Sequence, residues 1–248
     1  MYRLAVLNLC TVVPEAALSA AVDGLKAQVQ RDLSPPPPIG WGIAADIVYV
    51  PKGQPAPTDR WWLCVVDDVD AAGYLGRHDL TRAGLPMGKV FAKTVLQYGK
   101  QVSASISHEG IEMLVDPYLN QYYYAAAQGR LYSKEVSDPL QANAWGYQIN
   151  GCPLLCDFVL PPFYAPAPTA GAKYSITGKI TAPMTVAPGG YLPYYDLKTR
   201  TWSSVMGETI VKGKGVKKEQ FQAREYNGSR REKRQILMRG ESLIESED

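Results

Sequence analysis

The 248-residue chain lacks several features that would assign a protein to a class at once. It has no run of about 18 consecutive apolar residues, so we expect no membrane span. The phosphate-binding patterns G-x-x-x-x-G-K-[ST] and G-x-G-x-x-G are missing, as is the G-x-S-x-G pattern of serine hydrolases. The sequence therefore disfavours these nucleotide-binding and serine-hydrolase mechanisms.

Cysteine is also scarce, and its four copies are too scattered for a disulfide scaffold. Cys10 and Cys64 lie in apolar, strand-like runs, which is typical of small buried side chains. Cys152 and Cys156 have the spacing C-x-x-x-C, but a zinc knuckle needs two more soft ligands nearby, and the sequence offers none. We interpret all four cysteines as structural.

The two ends of the chain bear on location and partners. Residues 1–21 carry little charge and alternate like a strand, so we interpret them as mature structure rather than a signal peptide. The expected location is the cytoplasm of a host cell or a virion. Between Lys212 and Arg234 the chain carries nine Lys and Arg against three Glu. This basic stretch over 212–234 could contact nucleic acid, but it has few interleaved aromatic residues and no recognisable motif, which disfavours that partner.

Hydrophobic periodicity predicts an α+β fold, with a twisted mixed β-sheet and two main helices in the order β-α-β-β-β-α. Strands are predicted over 2–9, 42–50, 60–68 and 88–96, and helices over 14–33 and 102–115. The first helix has an apolar stripe at helical spacing, formed by Leu18, Val22, Leu25 and Val29. We predict that it ends at the proline run 34–38, and that the second helix ends at Asp116, because a residue before proline disfavours helical backbone.

The second half of the chain shows weaker periodicity. A hairpin is predicted to turn at Asn150-Gly151. We divide the chain into a core domain over 1–164, an irregular β-rich segment over 165–210 packed on that core, and a charged, extended tail over 211–248.

The second predicted helix contains the sequence "SHEGIEMLVDP", which resembles the zinc-protease pattern H-E-x-x-H with Glu112 in place of the second histidine. His108 and Glu112 are four residues apart, so both can bind one cation from the same helix face. Glu109 is then placed to act as a general base. A carboxylate ligand keeps zinc as the first expectation but makes Ca²⁺ or Mn²⁺ more competitive. The alternative is an ordinary solvated helix face, with His108 bonded to Asp116 or to a backbone carbonyl.

A third ligand is needed, and Glu135 is the best candidate. Asp116 lies too far along the helix to share the same ion directly, which leaves it a supporting role. In gluzincins such as thermolysin the third ligand is a glutamate about as far along the chain from the active-site helix as Glu135 is here. An aspartate just beyond that glutamate orients the first histidine. The segment "KEVSDP" resembles that arrangement, with Asp138 in the orienting position.

A second polar cluster follows the third predicted strand, in the Gly-rich stretch before 88–96. Its members are Asp67, Asp68, Asp70, His78 and Asp79. One interpretation is a set of turn-forming acids at a strand end. The other is a Ca²⁺ loop, or a site in which His78 serves as a further ligand or a transition-state donor near the metal.

Five segments together resemble a group of uncharacterised bacterial and bacteriophage proteins that carry an S-H-E-x-x-E-x-x-x-D-P helix followed by an E-V-x-D segment. The segments are "DDVDAAGYLGRHDLTRAGLPMGKVFAKT", "SHEGIEMLVDPYLN", "KEVSDPLQ", "YQINGCPLLCDFVLPPFY" and "APGGYLPYYD". The resemblance covers roughly residues 1–200. It implies a zincin-like, gluzincin-like metallopeptidase fold, in which the strand before the active-site helix is a sheet edge able to pair with an extended substrate. Gly110, in the middle of the helix, is a departure that lowers helix stability.

Two functions follow as expectations. The first is a metal-dependent hydrolase, peptidase-like, acting on a peptide or protein through the H-E-x-x-E helix and a downstream glutamate. The second is a non-enzymatic virion protein of a bacteriophage, such as a capsid, connector or tail component, which retains this fold and has other phage structural proteins as partners.

Overall fold

A computed structural model describes residues 1–68 and 74–208. Asp70 and the predicted tail over 211–248 lie outside the described residues. The first half of the chain forms β1 (Tyr2–Asn8), α1 (Glu15–Gln28), β2 (Ala45–Val50), β3 (Trp61–Val66), β4 (Gly76–Leu80), β5 (Pro86–Phe91), α2 (Ala92–Gln97) and α3 (Val102–Val115). The second half adds β6 (Tyr122–Ala125), β7 (Arg130–Ser133), β8 (Tyr191–Asp196) and β9 (Thr201–Met206).

The predicted α+β class and mixed sheet are confirmed. Five strands form one sheet in the order β2-β1-β3-β5-β4. The first four of these strands are parallel to one another, and β4 pairs antiparallel with β5. The strands β1 and β3 lie inside the sheet and are mostly apolar, because both faces of a central parallel strand are covered by other elements.

The first predicted helix is also confirmed, with its apolar stripe facing the core. Leu18, Val22, Leu25 and Val29 are all buried. The helix α1 continues into a single wider π-helical turn over Val29–Leu33 and stops at Ser34, directly before the prolines. The proline run therefore ends the helix as expected, because proline cannot supply the backbone N–H that a helix interior requires.

The element order differs from the prediction at two places before α3. Residues 76–80, expected to lie in a loop, form β4, and residues 92–96, expected to be strand, lie in the helix α2. The sequence "GRHDL" of β4 lacks alternating apolar residues, and it becomes a strand by pairing with β5 across a tight turn at Gly84, whose φ is 79°. In α2, Ala92 and Val95 are both buried at helical spacing, which favours a helix once the chain leaves the sheet.

The predicted sheet edge is consequently wrong. The strand β5 lies between β3 and β4, and β4 is the edge strand next to it. Any extended peptide that added to this side of the sheet would therefore pair with β4.

The helix α3 occupies the position from which the candidate site is built. Twelve of its fourteen residues are buried, because it packs against the sheet and α1 on one side and loops on the other. Gly110 has a packing reason: a Cβ there would lie 2.8 Å from Leu25 Cδ2 and 3.6 Å from Leu63 Cδ2. Glycine thus allows α3 to approach α1 and β3 closely, which offsets its low helix propensity. The helix ends at Val115, with Asp116 as its C-cap before Pro117, as predicted.

The strands β6, β7, β8 and β9 form a second, antiparallel sheet in chain order. The turn predicted at Asn150-Gly151 is confirmed, since both residues have positive φ, but the flanking segments form a single isolated bridge, Tyr147 to Leu155, rather than two paired strands. Between 165 and 190 the chain has no named strand or helix, and β8 then pairs with β7. Among the described residues, no helix has both the length and the apolar character needed to cross a membrane.

Candidate metal centre

The site begins with two side chains one turn apart on α3. His108 Nε2 lies 3.3 Å from Glu112 Oε2, as expected for residues four apart on a helix. His108 is the more accessible of the two, with 14% of its side chain exposed against 4% for Glu112. The pair is therefore reached from the His108 side.

The loop after β7 adds an acid to this pair. Asp138 Oδ1 lies 3.3 Å from His108 Nε2. The backbone N–H groups of Ser137 and Asp138 donate to Glu112 Oε1, at 3.0 and 3.2 Å, so the loop is fixed to the helix. The ligand atoms of His108, Glu112 and Asp138 all lie within 4.8 Å of one another, and we refer to these three residues as the helix–loop group.

The edge strand β4 brings a second imidazole to the same carboxylate. His78 is fully buried, and its Nδ1 lies 3.8 Å from both Glu109 Oε2 and Glu112 Oε2. Its other nitrogen, Nε2, lies 3.8 Å from Glu135 Oε2. The ligand atoms of His78, Glu109 and Glu112 lie within 4.8 Å of one another, and we refer to them as the strand–helix group. Glu112 belongs to both groups.

A glycine makes the approach of β4 to α3 possible. At Gly76, a Cβ would lie 2.7 Å from Glu109 Oε1 and 2.8 Å from Glu109 Cγ. Any larger residue would therefore displace the Glu109 carboxylate. The close contact between strand and helix depends on the missing side chain at this position.

Because the acids of the site are buried, their charged forms are unfavourable. Burial raises the pKa of Glu112 well above its ordinary value, and the neighbouring Asp138 and Glu135 carboxylates raise it further. The pKa of Asp138 is also raised, again chiefly by burial. Concentrated negative charge in a low-dielectric interior is costly unless cations compensate it, which a divalent metal ion would do.

His108 is shifted towards its charged form. Burial alone would lower its pKa, but the charge of Glu112 and hydrogen bonds with Asp138 and Cys156 outweigh burial and raise the pKa well above the ordinary value. The imidazolium so favoured partly compensates the surrounding acids. A cation bound by this ring would displace that proton, because a metal needs the neutral imidazole.

The donor set fits a divalent cation. Two atoms held about 2.1 Å from zinc at a tetrahedral angle lie roughly 3.4 Å apart. The two separations from His108 Nε2 in the helix–loop group, both 3.3 Å, are close to that value. In addition, Glu109 Oε2 is buried and receives no hydrogen bond within the described part of the chain. A buried carboxylate oxygen of this kind has unused capacity for a cation.

The structure departs from the predicted ligand set in one respect. Glu135, predicted as the third ligand, is in neither group and instead faces the far nitrogen of His78. Asp138, predicted to orient His108, is in the helix–loop group and can itself be a ligand. A carboxylate on the outer nitrogen of a histidine is the usual way in which a metal-binding ring is oriented, so Glu135 is placed for that role towards His78.

The remaining predicted residues lie outside both groups. Asp67 accepts hydrogen bonds from the backbone N–H groups of Thr11 and Val12, and Asp68 pairs with Lys93 on the surface. Asp79 Oδ1 accepts the N–H of the next residue, and Asp116 Oδ1 accepts the N–H groups of Asn120 and Gln121 just past α3. Of the second polar cluster, His78 alone among the described residues reaches the site.

Two neighbours of the site carried no signal in the sequence. Cys156 Sγ lies 3.6 Å from His108 Nδ1, and the backbone N–H of Cys156 donates to Ser107 Oγ on α3 at 2.6 Å. Burial raises the pKa of the Cys156 thiol, so it is a neutral neighbour rather than a nucleophile. Tyr191, at the start of β8, is hydrogen-bonded to Asp138, and burial raises its pKa well above the ordinary value.

Comparisons with protein-family profiles, with curated proteins and with solved structures found no match to this chain.

Proposed function

We propose that the protein is a metal-dependent hydrolase of zincin-like architecture, with a peptide or protein as substrate. One observation carries the proposal: a largely enclosed imidazole and two buried carboxylates, from α3 and from the loop after β7, converge within 4.8 Å. Those two segments are separated by more than twenty residues, so the convergence comes from the tertiary fold. A helix with H-E-x-x-E packed on a mixed sheet supports the zincin-like assignment.

In this proposal the helix–loop group holds one divalent cation, and zinc is the first choice. A bound cation of this kind supplies Lewis acidity, polarising a carbonyl and lowering the pKa of water. Glu109 is the proposed general base. One of its carboxylate oxygens lies within 4.8 Å of a Glu112 carboxylate oxygen, near enough to accept a proton from a water molecule lying beside the cation site.

Other side chains hold this arrangement in place. The hydrogen bonds from Ser137 and Asp138 to Glu112 fix one carboxylate oxygen and leave the other directed at His108. Tyr191 is bonded to Asp138 and is neutral at ordinary pH, so its hydroxyl can donate to that carboxylate. An extended substrate could reach the site by pairing with the edge strand β4, which carries His78 next to Glu109.

The test uses full-length protein and the variant Glu109→Gln, with Glu15→Gln as the control for the same chemical change on an exposed site of α1. Elemental analysis should find at least one equivalent of zinc in all three proteins. Hydrolysis of a mixed peptide library, read by mass spectrometry, should be lost in Glu109→Gln, by about 100-fold or more, and retained in Glu15→Gln. Cleavage that persists in Glu109→Gln, or protein that binds no metal, refutes the proposal.

The second candidate is a non-enzymatic virion protein in which a cation would only stabilise the fold. The burial of the site favours it, since Glu109, Glu112, Glu135 and Asp138 are each at least 94% buried. The segment 187–190 also lies on the turn after Asp138, where the N–H of Ala187 donates to the carbonyl of Pro139. Stoichiometric presence in purified virions, with full infectivity of Glu109→Gln particles, would favour this function over the hydrolase.

A further inference from the structure

The strand–helix group lies beside the proposed catalytic ion, and its His78 faces the same oxygen, Glu112 Oε2, that faces His108. It shares Glu112 with the helix–loop group and adds His78 and Glu109. In the helix–loop group, His108 Nε2 lies 3.3 Å from an oxygen of each of the two acids. In the strand–helix group, His78 Nδ1 lies 3.8 Å from an oxygen of each of the two acids. The described residues therefore include two neighbouring three-residue groups that share the Glu112 carboxylate.

The wider spacing fits a larger ion. A spacing of 3.8 Å is wider than the roughly 3.4 Å expected for two atoms on a tetrahedral zinc ion, and larger cations such as Ca²⁺ hold their ligands at longer distances, about 2.3–2.6 Å. A separation of 3.8 Å between His78 and each glutamate is also too long for a direct hydrogen bond. Both groups offer two carboxylates and one imidazole, so the donor types do not distinguish them, and Mn²⁺ accepts such oxygen and nitrogen donors.

A second observation points to a ligand at this position. Glu109 is 94% buried, and its Oε2 atom, the one nearest His78, receives no hydrogen bond from any described residue. The same glutamate has its other oxygen pressed against Gly76, so it has little freedom to turn towards solvent. A cation between Glu109 and His78 would use the Glu109 oxygen that the described residues leave without a donor.

We propose that the strand–helix group is a second divalent-cation site, able to hold a larger ion such as Mn²⁺, and that it shares Glu112 with the first. Filling it engages Glu109 as a ligand, so Glu109 can no longer accept a proton. The second ion is therefore an inhibitor of the chemistry assigned to the first. The regulatory consequence rests on the proposed function, whereas the binding of the second ion does not.

The experiment measures metal content rather than turnover. Full-length protein is freed of metal, loaded with one equivalent of Zn²⁺ and titrated with Mn²⁺, and free Mn²⁺ is followed by electron paramagnetic resonance. Wild-type protein and the Glu15→Gln control should each bind one Mn²⁺ beside the zinc. His78→Asn and Glu109→Gln should retain zinc and bind Mn²⁺ at least tenfold more weakly, while Asp138→Asn should weaken zinc binding instead.

Each outcome of the titration supports or overturns one part of the proposal. Zinc binding with no Mn²⁺ beside it overturns the second site and leaves the hydrolase proposal intact, whereas failure to bind either metal overturns both. Mn²⁺ binding that survives in both His78→Asn and Glu109→Gln overturns the assignment of residues. Circular dichroism checks folding, and if the buried His78→Asn does not fold, Glu109→Gln alone carries the decision.

Discussion

The acids and the histidine of the site make a sharp prediction about the stability of the metal-free protein. Glu112 and Asp138 have pKa values raised mainly by burial, and the pKa of His108 is raised by its acidic neighbours despite burial. All three groups therefore hold protons more tightly in the folded chain than in the unfolded one. A raised folded-state pKa stabilises the fold fully below the unfolded pKa, and that stabilisation is lost as pH rises through the folded value.

The pH windows follow from the ordinary values of these groups. For the two carboxyl groups the loss begins above about pH 4, and for the imidazole above about pH 6.5. The lowered pKa values of Asp46, Asp67 and Asp196 act in the opposite direction, but only below about pH 4. Burial also raises the pKa of Asp157, which adds to the effect in the same direction, so between pH 5.5 and 7.5 the metal-free protein should become less stable as pH rises.

The magnitude follows from the number of protons involved. Each extra proton held by the folded state changes the free energy of unfolding by about 1.4 kcal/mol per pH unit. One proton retained at the site from pH 5.5 to 7.5 therefore lowers the free energy of unfolding by about 2.7 kcal/mol over that range. This is a large part of the roughly 5–15 kcal/mol that stabilises a typical domain.

The assay is urea unfolding of chelator-treated protein at pH 5.5, 6.5 and 7.5, followed by tryptophan fluorescence. Glu112→Gln should flatten the dependence, because the amide keeps the shape of the side chain but does not titrate. Saturating Zn²⁺ should reverse the sign, since the metal competes with protons for the same groups. If the free energy of unfolding of the metal-free protein stays constant or rises with pH, the reasoning is refuted. The measurement ends at pH 7.5 because burial lowers the pKa of Lys100. In alkaline solution the titration of Lys100 therefore changes the free energy of unfolding with the opposite sign.

Two further predictions concern the segments that enclose the site. Gly190→Ala should lower the free energy of unfolding by about 3 kcal/mol, because the new Cβ would lie 2.6 Å from the carbonyl carbon of Pro139. The control Gly84→Ala, in an open turn with positive φ, should lower it by about 1 kcal/mol. Equal shifts in melting temperature for the two variants would contradict the packing argument. Asp157→Ala should lower the free energy of unfolding by roughly 3–5 kcal/mol, because the buried Asp157 carboxylate accepts hydrogen bonds from three backbone N–H groups and from the hydroxyl of Thr177. Calorimetry that shows no loss of stability would count against this network.

The sequence predicted the elements whose signal is local. The stripe of α1 has helical spacing, and the prolines after it stop the helix, so α1 was predicted to within a few residues. The same holds for α3, where the apolar run and the Asp116-Pro117 pair mark the end. The strand β4 could not be predicted, because "GRHDL" has no strand periodicity and is held by pairing with β5. The edge of the sheet was misassigned for the same reason.

The candidate site divides in the same way. His108, Glu109 and Glu112 are close because of helical spacing, which can be read from the sequence. Asp138 joins them because the loop after β7 donates two backbone N–H groups to Glu112, a contact that only the fold creates. The environment of Cys156 and Tyr191 is likewise tertiary, since each reaches the site from a segment distant in the chain.

The sequence by itself determined the α+β class, the two main helices and the face of α3 that carries a histidine and two acids. The physical reason is that helix periodicity, proline and glycine act over a few residues. Only the tertiary structure decided that β4 delivers His78 to that face, that Asp138 rather than Glu135 lies against His108, and that His78 and the acids are buried. Those outcomes depend on strand pairing and on packing between distant segments, which no local pattern encodes.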